Sequence, residues 1–193
     1  MKDPILYRLL RPIFYRIFVI YYNPTIVNKE VIPEEGKIII AGNHKHALDP
    51  VFVYACTKRT VYTLAKKALH DGAFGWFFRA VGSIPVEPNT GGKSKTLASA
   101  IDHLNNGCAV NLSPEGKRNR TDEILLPFKF GAVIMAQRTN TKIIPYSITG
   151  DYVFRSKNLK IEFGKPIDVS KLTPEEANKK LYDKIKKLLI KNR

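Results

Sequence analysis

Short, nearly continuous apolar runs alternate along this chain with longer segments whose apolar residues recur at helical spacing. Lys37–Ala41 (KIIIA), Thr60–Leu64 (TVYTL), Ser83–Val86, Cys108–Leu112 (CAVNL), Lys142–Ile148 (KIIPYSI) and Leu159–Phe163 (LKIEF) read as strands. Pro33-Glu34-Glu35-Gly36 is a turn before the first of them, and Gly42-Asn43 breaks the strand after it. Asp49-Pro50 opens a helix through Cys56, with Asp49 as N-cap and Pro50 at the first helical position. Leu97, Ile101 and Leu104 mark a helix over Lys95–Asn105, closed by Asn106-Gly107, and residues from about Lys129 to Arg138 suit another. Thr173 and Glu176 form a capping box with Pro174 behind it, and Ala177, Leu181, Ile185, Leu188 and Leu189 then make one apolar stripe. Strands alternating with helices predict an α/β fold, a mixed, largely parallel sheet flanked by helices.

The first 22 residues stand apart from this alternation. They are rich in aromatic and branched residues, but Arg8, Arg11 and Arg16 interrupt the run and Pro12 splits it. The uncharged stretch from Ile17 to Tyr22 is too short to span a bilayer, and no small-residue cleavage site follows. Asn23-Pro24 ends the segment, because the residue before a proline avoids the helical conformation. An N-terminal amphipathic membrane-contacting helix fits this composition, with Arg at headgroup level and Tyr, Phe and Leu below it. The alternative is a helix packed on the protein's own core. The expected division is an interface segment over residues 1–30 and a single domain over 31–193.

Charge sharpens the question of partners. A formal net charge of +15 calls for something anionic: a nucleic acid, a membrane face or an acidic substrate. The C-terminal lysines (Lys179, Lys180, Lys184, Lys186, Lys187 and Lys191) are either a solvated face or a basic face toward anionic lipid. Cys56 and Cys108, far apart and without zinc-type spacing, read as buried small apolar residues in a reducing compartment.

Two segments carry candidate chemistry. His44 and Asp49 lie five apart, an offset that would separate them on a continuous helix. Here a strand ends before His44 and a helix begins at Asp49, so the chain turns between them. A carboxylate on one imidazole nitrogen fixes the tautomer and makes the other nitrogen a general base near neutral pH. Otherwise Asp49 simply caps its helix and His44 is a loop residue. The second segment is Ser113-Pro114-Glu115-Gly116-Lys117-Arg118-Asn119-Arg120. Gly116 allows close backbone approach, and Lys117, Arg118 and Arg120 concentrate positive charge suited to a phosphate. Glu115 can orient Arg118 or receive a substrate hydroxyl; the alternative is an exposed basic turn.

Together these segments resemble the glycerophospholipid acyltransferase family, which includes the 1-acyl-sn-glycerol-3-phosphate acyltransferases. The first family block, Asn-His-x4-Asp, matches Asn43, His44 and Asp49, and the third, commonly Phe-Pro-Glu-Gly-Thr-Arg-Ser, matches Pro114, Glu115, Gly116 and Arg118. Gly82–Val86 approaches the second block, and Ile143–Ile148 the fourth, apolar block around a proline. Phe128-Lys129 with Gly131-Ala132 is similar to the stretch that follows the third block, and the order and separations agree over roughly residues 35–150. Two positions depart: Glu87-Pro88-Asn89 stands where the second block continues to an Arg, and Lys117 replaces the Thr of the third. Lys117, aided by Lys93 or Lys95, is a candidate for the charge lost at Pro88.

The resemblance implies a glycerolphosphate acyltransferase-like fold and a direct transfer. His44 takes the proton of an acceptor hydroxyl, Asp49 orients His44, and Arg118 with Gly116 and Lys117 holds the acceptor phosphate while Glu115 helps position it. The implied donor is acyl-acyl carrier protein or acyl-coenzyme A, the implied acceptor lysophosphatidic acid or another lyso-lipid, and no cofactor is expected. The implied location is peripheral, on the cytoplasmic face of the membrane. Gly72–Val81, with Phe74, Trp76, Phe77 and Phe78, is apolar on nearly every side if helical, which reads as core or, more sharply, as the lining of an acyl-chain pocket. Two rival classes remain. His44-Lys45-His46 with Asp49 has a superficial metallohydrolase look, but only His70 and His103 are left as further histidines and neither falls in a ligand pattern. Charge alone suggests a nucleic-acid-binding protein, which no recognisable motif supports.

Overall fold

The computed structural model describes residues 5–73, 75–86 and 95–192. In chain order the elements are α1 (Ile5–Tyr22), β1 (Thr25–Val27), β2 (Ile38–Gly42), α2 (Asp49–Cys56), β3 (Val61–Lys66), α3 (Lys67–Asp71), α4 (Gly75–Ala80), β4 (Ile84–Val86), α5 (Lys95–Asn105), β5 (Ala109–Leu112), α6 (Gly131–Thr139), β6 (Ile143–Thr149), β7 (Lys160–Phe163) and α7 (Pro174–Lys191). A single turn of 3-10 helix, Lys29–Val31, lies between β1 and β2.

The seven strands pair in the order β1-β7-β6-β2-β5-β3-β4. Every pairing is parallel except that of β6 with β7. The mixed, largely parallel sheet expected from the sequence is therefore present. The run IIIAG of β2 explains its central position. Ile39 and Ala41 join one core cluster, with Leu104, Val133, Ala136, Leu181 and Ile185, while Ile38 and Ile40 join a second, with Phe18, Phe52, Val53 and Phe163. Side chains alternating along the strand thus feed both faces, which is why the run carries no polar interruption.

Three segments depart from expectation. β2 ends at Gly42, one residue past the expected Ala41, and a Cβ at Gly42 would stand 2.3 Å from the ring of Tyr146 on the neighbouring strand. α1 runs unbroken through Pro12; the proline removes one N–H and leaves an exposed position without ending the helix. The aromatic segment after α3 is not core. Trp76 is 59% exposed, and the six-residue α4 buries only Gly75. Phe77 meets Phe14 of α1 edge-on at 6.5 Å; Phe74 lies outside the described residues. Elsewhere β1 and α3 formed without being expected, and Cys108 is only partly buried while Cys56 is buried.

α1 packs one face on the protein's own core and leaves the other face exposed. Tyr7 and Phe18 are buried against the body, and Arg11 Nε donates to the Thr57 carbonyl at 2.6 Å. The opposite face shows Leu9, Ile13, Ile17 and Ile20 in one stripe, each more than half exposed. No helix among the described residues is long and apolar enough to cross a membrane.

Gly42→Ala should force Tyr146, 2% exposed, out of its seat. Overpacking of this kind costs about 1–3 kcal/mol, so chemical denaturation should show a lower midpoint with an unchanged slope.

Candidate active site

The C-terminal ends of β2, β5 and β6 lie side by side, with Ala41 opposite Leu112 and Gly42 opposite Tyr146. Connections leaving such ends are where α/β sheets carry their ligands. Asn43 ties two of them together: its Nδ2 donates to the Ile148 carbonyl at 2.9 Å, and its Oδ1 accepts the Ile148 N–H at 2.7 Å. The chain then turns, and His44 Nδ1 comes to 2.8 Å from Asp49 Oδ2. The turn that the sequence required for contact at this spacing is the loop between β2 and α2.

Asp49 does not cap α2 as expected. No side chain caps that helix; Leu48 precedes it, Asp49 is its first residue and Pro50 its second. The carboxylate turns back into the loop instead, where Oδ2 also accepts the backbone N–H of Lys45 at 2.8 Å and of His46 at 2.9 Å. Oδ1 accepts the Tyr152 hydroxyl at 2.7 Å. A buried carboxylate with four donors is held in one orientation. With Nδ1–H donated to Asp49, the neutral His44 ring keeps its lone pair at Nε2.

Glu115 is 3% exposed and spans two loops. Oε1 accepts the His44 backbone N–H at 2.8 Å, and Oε2 accepts the Leu126 N–H at 2.9 Å. Burial pushes its carboxyl above the usual range; the two N–H donors and His44 pull partly back, and the Asp49 charge adds to the rise. The expected contact with Arg118 is not made. Gly116 turns the chain at φ +68° and its N–H donates to the Ser113 carbonyl at 3.1 Å. That turn sends Glu115 inward and leaves Lys117 and Arg118 exposed, their side chains without a hydrogen bond or ion pair among the described residues. Asn119 N–H donates to the His44 carbonyl at 2.7 Å, so the basic turn and the His44 loop are joined at two points.

A cleft of about 270 Å³ opens here, lined by His44, Asn43, Lys45, Glu115, Thr121 and Ile148 among others. Lys45 Nζ donates across it to the Gly150 carbonyl and lies 3.7 Å from Asp151. His46 is engaged elsewhere, its Nδ1 accepting the Leu48 N–H and its ring stacked on Tyr152 at 4.4 Å. His70 is hydrogen-bonded to Ser83 and His103 to the Ser99 carbonyl, both beside a separate cavity near β4. Among the described residues no three His, Cys, Asp or Glu side chains are grouped to hold a metal ion. Pro88 and Lys93 lie outside the described residues, and Lys95 is an exposed residue at the start of α5.

A family model described as Acyltransferase matches residues 23–149, which include both site loops. The chain belongs to this acyltransferase family. It is 26% identical over 155 residues to the 1-acyl-sn-glycerol-3-phosphate acyltransferase of Streptococcus pneumoniae, covering 74% of this chain and 55% of that protein. It is 30% identical over 139 residues to the protein of the same name from Borreliella burgdorferi, covering 69% and 54%. The chain thus spans about half the length of these two relatives. For the Helicobacter pylori protein of that name the identity is 26%, over 89% of this chain and 75% of the relative. The crystal structure of the 1-acyl-sn-glycerophosphate (LPA) acyltransferase PlsC from Thermotoga maritima superposes with a TM-score of 0.80. It covers 96% of this chain and 79% of that one at 21% identity, which shows the same acyltransferase fold.

Tyr152 was not found from the sequence, since it lies 103 residues from Asp49 and in no family block. Glu115 was found, but its two-loop contact depends on a fold that no spacing encodes. Glu115→Gln keeps one acceptor oxygen and sets an NH2 against the other backbone N–H. Unfolding experiments should show a loss of about 1–3 kcal/mol. Because the native carboxyl titrates above its unfolded value, wild type loses stability as pH rises through that window. The gap to the variant should therefore narrow from acid toward neutral pH.

Proposed function

We propose that this chain is a membrane-surface acyltransferase that moves a fatty acyl group from an acyl thioester to the free hydroxyl of lysophosphatidic acid, giving phosphatidic acid. The observation that carries the reading is the His44–Asp49 pair, with its free nitrogen at a cleft, in a chain of the acyltransferase family. His44 Nε2 takes the acceptor hydroxyl proton as the oxygen attacks the thioester carbonyl carbon. Asp49 stabilises the imidazolium that forms. The tetrahedral adduct then collapses, the C–S bond breaks, and the thiolate leaves with the proton returned by His44. No acyl-enzyme is needed; Cys56 is buried, with its thiol pushed well above the ordinary value by burial.

In this reading Lys117 and Arg118 meet the acceptor phosphate, Gly116 lets it approach the backbone, and Glu115 sets the turn that presents them. The donor is acyl-acyl carrier protein or acyl-coenzyme A. Residues 1–30 seat the domain of residues 31–193 on the cytoplasmic membrane face. The exposed stripe of α1 supports this, with Arg8 and Arg16 along the same helix, Tyr21 beside it and Trp76 exposed on α4.

The decisive experiment offers purified protein a panel of lyso-lipid acceptors with both thioester classes. Lysophosphatidic acid should be acylated, and His44→Ala should lower turnover by about 10²–10⁴-fold. Near-full turnover in that variant would refute His44 as the base. Arg118→Ala, and more weakly Lys117→Thr, should raise the acceptor KM, by about tenfold or more for Arg118. The membrane assignment is read separately: Ile13→Ser with Ile17→Ser should sharply reduce co-flotation with anionic vesicles while leaving the thermal midpoint nearly unchanged.

A further inference from the structure

The loop after β6 holds Tyr152, which lies in no family block and takes no part in the proposed chemistry. Tyr152 is half-buried, and its hydroxyl donates to Asp49 Oδ1 at 2.7 Å, the oxygen that His44, Lys45 and His46 leave open. Its ring is fixed from several sides. It stacks on His46 at 4.4 Å and 24°, and it meets Tyr22 edge-on at 5.6 Å, Phe18 at 6.3 Å and Phe52 at 6.5 Å. The loop is pinned at both ends. Lys45 holds the Gly150 carbonyl, and Arg155 N–H donates to the Tyr21 carbonyl of α1 at 2.9 Å. Phe154 packs on Tyr21 at 5.0 Å.

Packing alone does not account for a tyrosine here. A phenylalanine would satisfy every ring contact and leave Asp49 Oδ1 buried without a donor. The hydroxyl is suited to donate, because burial, and next the neighbouring Asp49 charge, push its pKa far above the ordinary tyrosine value and keep the proton on the oxygen. The remaining Asp49 donors all converge on Oδ2. They fix where that oxygen lies, but a carboxylate held through one oxygen can still rotate about it. The second anchor removes that freedom and aligns Oδ2 with His44 Nδ1.

We infer that Tyr152 is a positioning residue for the transfer reaction, holding Asp49 in the orientation that keeps His44 the right tautomer and facing the cleft. The inference rests on His44 acting as the base. Tyr152 touches no reacting atom, so its removal acts on turnover and not on substrate affinity.

The test uses the full chain with Tyr152→Phe, which retains the ring packing. kcat should fall about tenfold, on the scale of one lost hydrogen bond to a charged group, while the KM for donor and acceptor stays within about twofold. In an Asp49→Asn background the same substitution should cost less than about twofold further, because the two residues act as one unit. Losses that multiply, or a kcat equal to wild type, would overturn the inference. A second readout needs no substrate: the low-field proton resonance of His44 Nδ1–H, assigned by its disappearance in His44→Ala. It should move or vanish in Tyr152→Phe; an unmoved resonance sinks the role of Tyr152 whatever reaction the protein performs. If wild type transfers no acyl group but the resonance moves, the anchoring stands and the assigned reaction fails.

Discussion

One buried carboxylate organises this end of the molecule. Asp49, 2% exposed, draws the N–H of Lys45 and His46, the His44 imidazole and the Tyr152 hydroxyl onto its two oxygens. Each donor lies on a stretch of chain that would otherwise be free to choose its path. Satisfying the charge therefore fixes the loop between β2 and α2, and through Tyr152 the loop after β6. An ionised carboxylate at that depth is tolerable only when its donors are all in place. Stability and site geometry are thus the same requirement here: a chain that loses the arrangement loses both.

Glu115 extends the requirement to the third strand end. It reaches from the β5 loop to the backbone N–H of His44 and, with its other oxygen, to Leu126. Asp49 and Glu115 both hold the His44 loop through backbone N–H groups, which only a proline would remove. Two anionic side chains so placed repel each other, and the rise in the Glu115 carboxyl reflects burial first and Asp49 last among its causes. The arrangement is sustained because every carboxylate oxygen has a donor.

Much of this was legible in the sequence, for reasons that differ from residue to residue. β2, α2, α5 and α7 were read nearly to their ends because each carries a strong local signal: an apolar run, a proline near a helix start, a capping box. β1 and α3 were not, being three and five residues long and held by neighbours instead of by their own pattern. The His44–Asp49 contact was readable because strand end and helix start bracket it. The role of Asp49 as a cap was misassigned because a carboxylate before a helix usually serves its own N–H groups. Here the loop N–H groups of Lys45 and His46 compete for it and win. Gly42 does end β2, at the point where local composition marks a break. What requires a glycine there, the face of Tyr146, lies more than a hundred residues away, and long-range contacts of this kind leave no mark on local composition.

The basic turn shows where a motif and its geometry part company. Read as letters, Glu115 and Arg118 are neighbours that invite an ion pair. Gly116, at positive φ, reverses the chain between them and sends one into the core and the other to the surface. An ion pair would neutralise both. Kept apart, the carboxylate is spent on backbone donors that place the turn, and the guanidinium retains its full charge and its planar set of donors. In the proposed reading, an unpaired cation on a rigid base suits phosphate capture from water, since a side chain already paired must first give up a partner. The glycine in this motif is accordingly a divider as much as a space-saver, and its left-handed backbone does what no choice of flanking charge could.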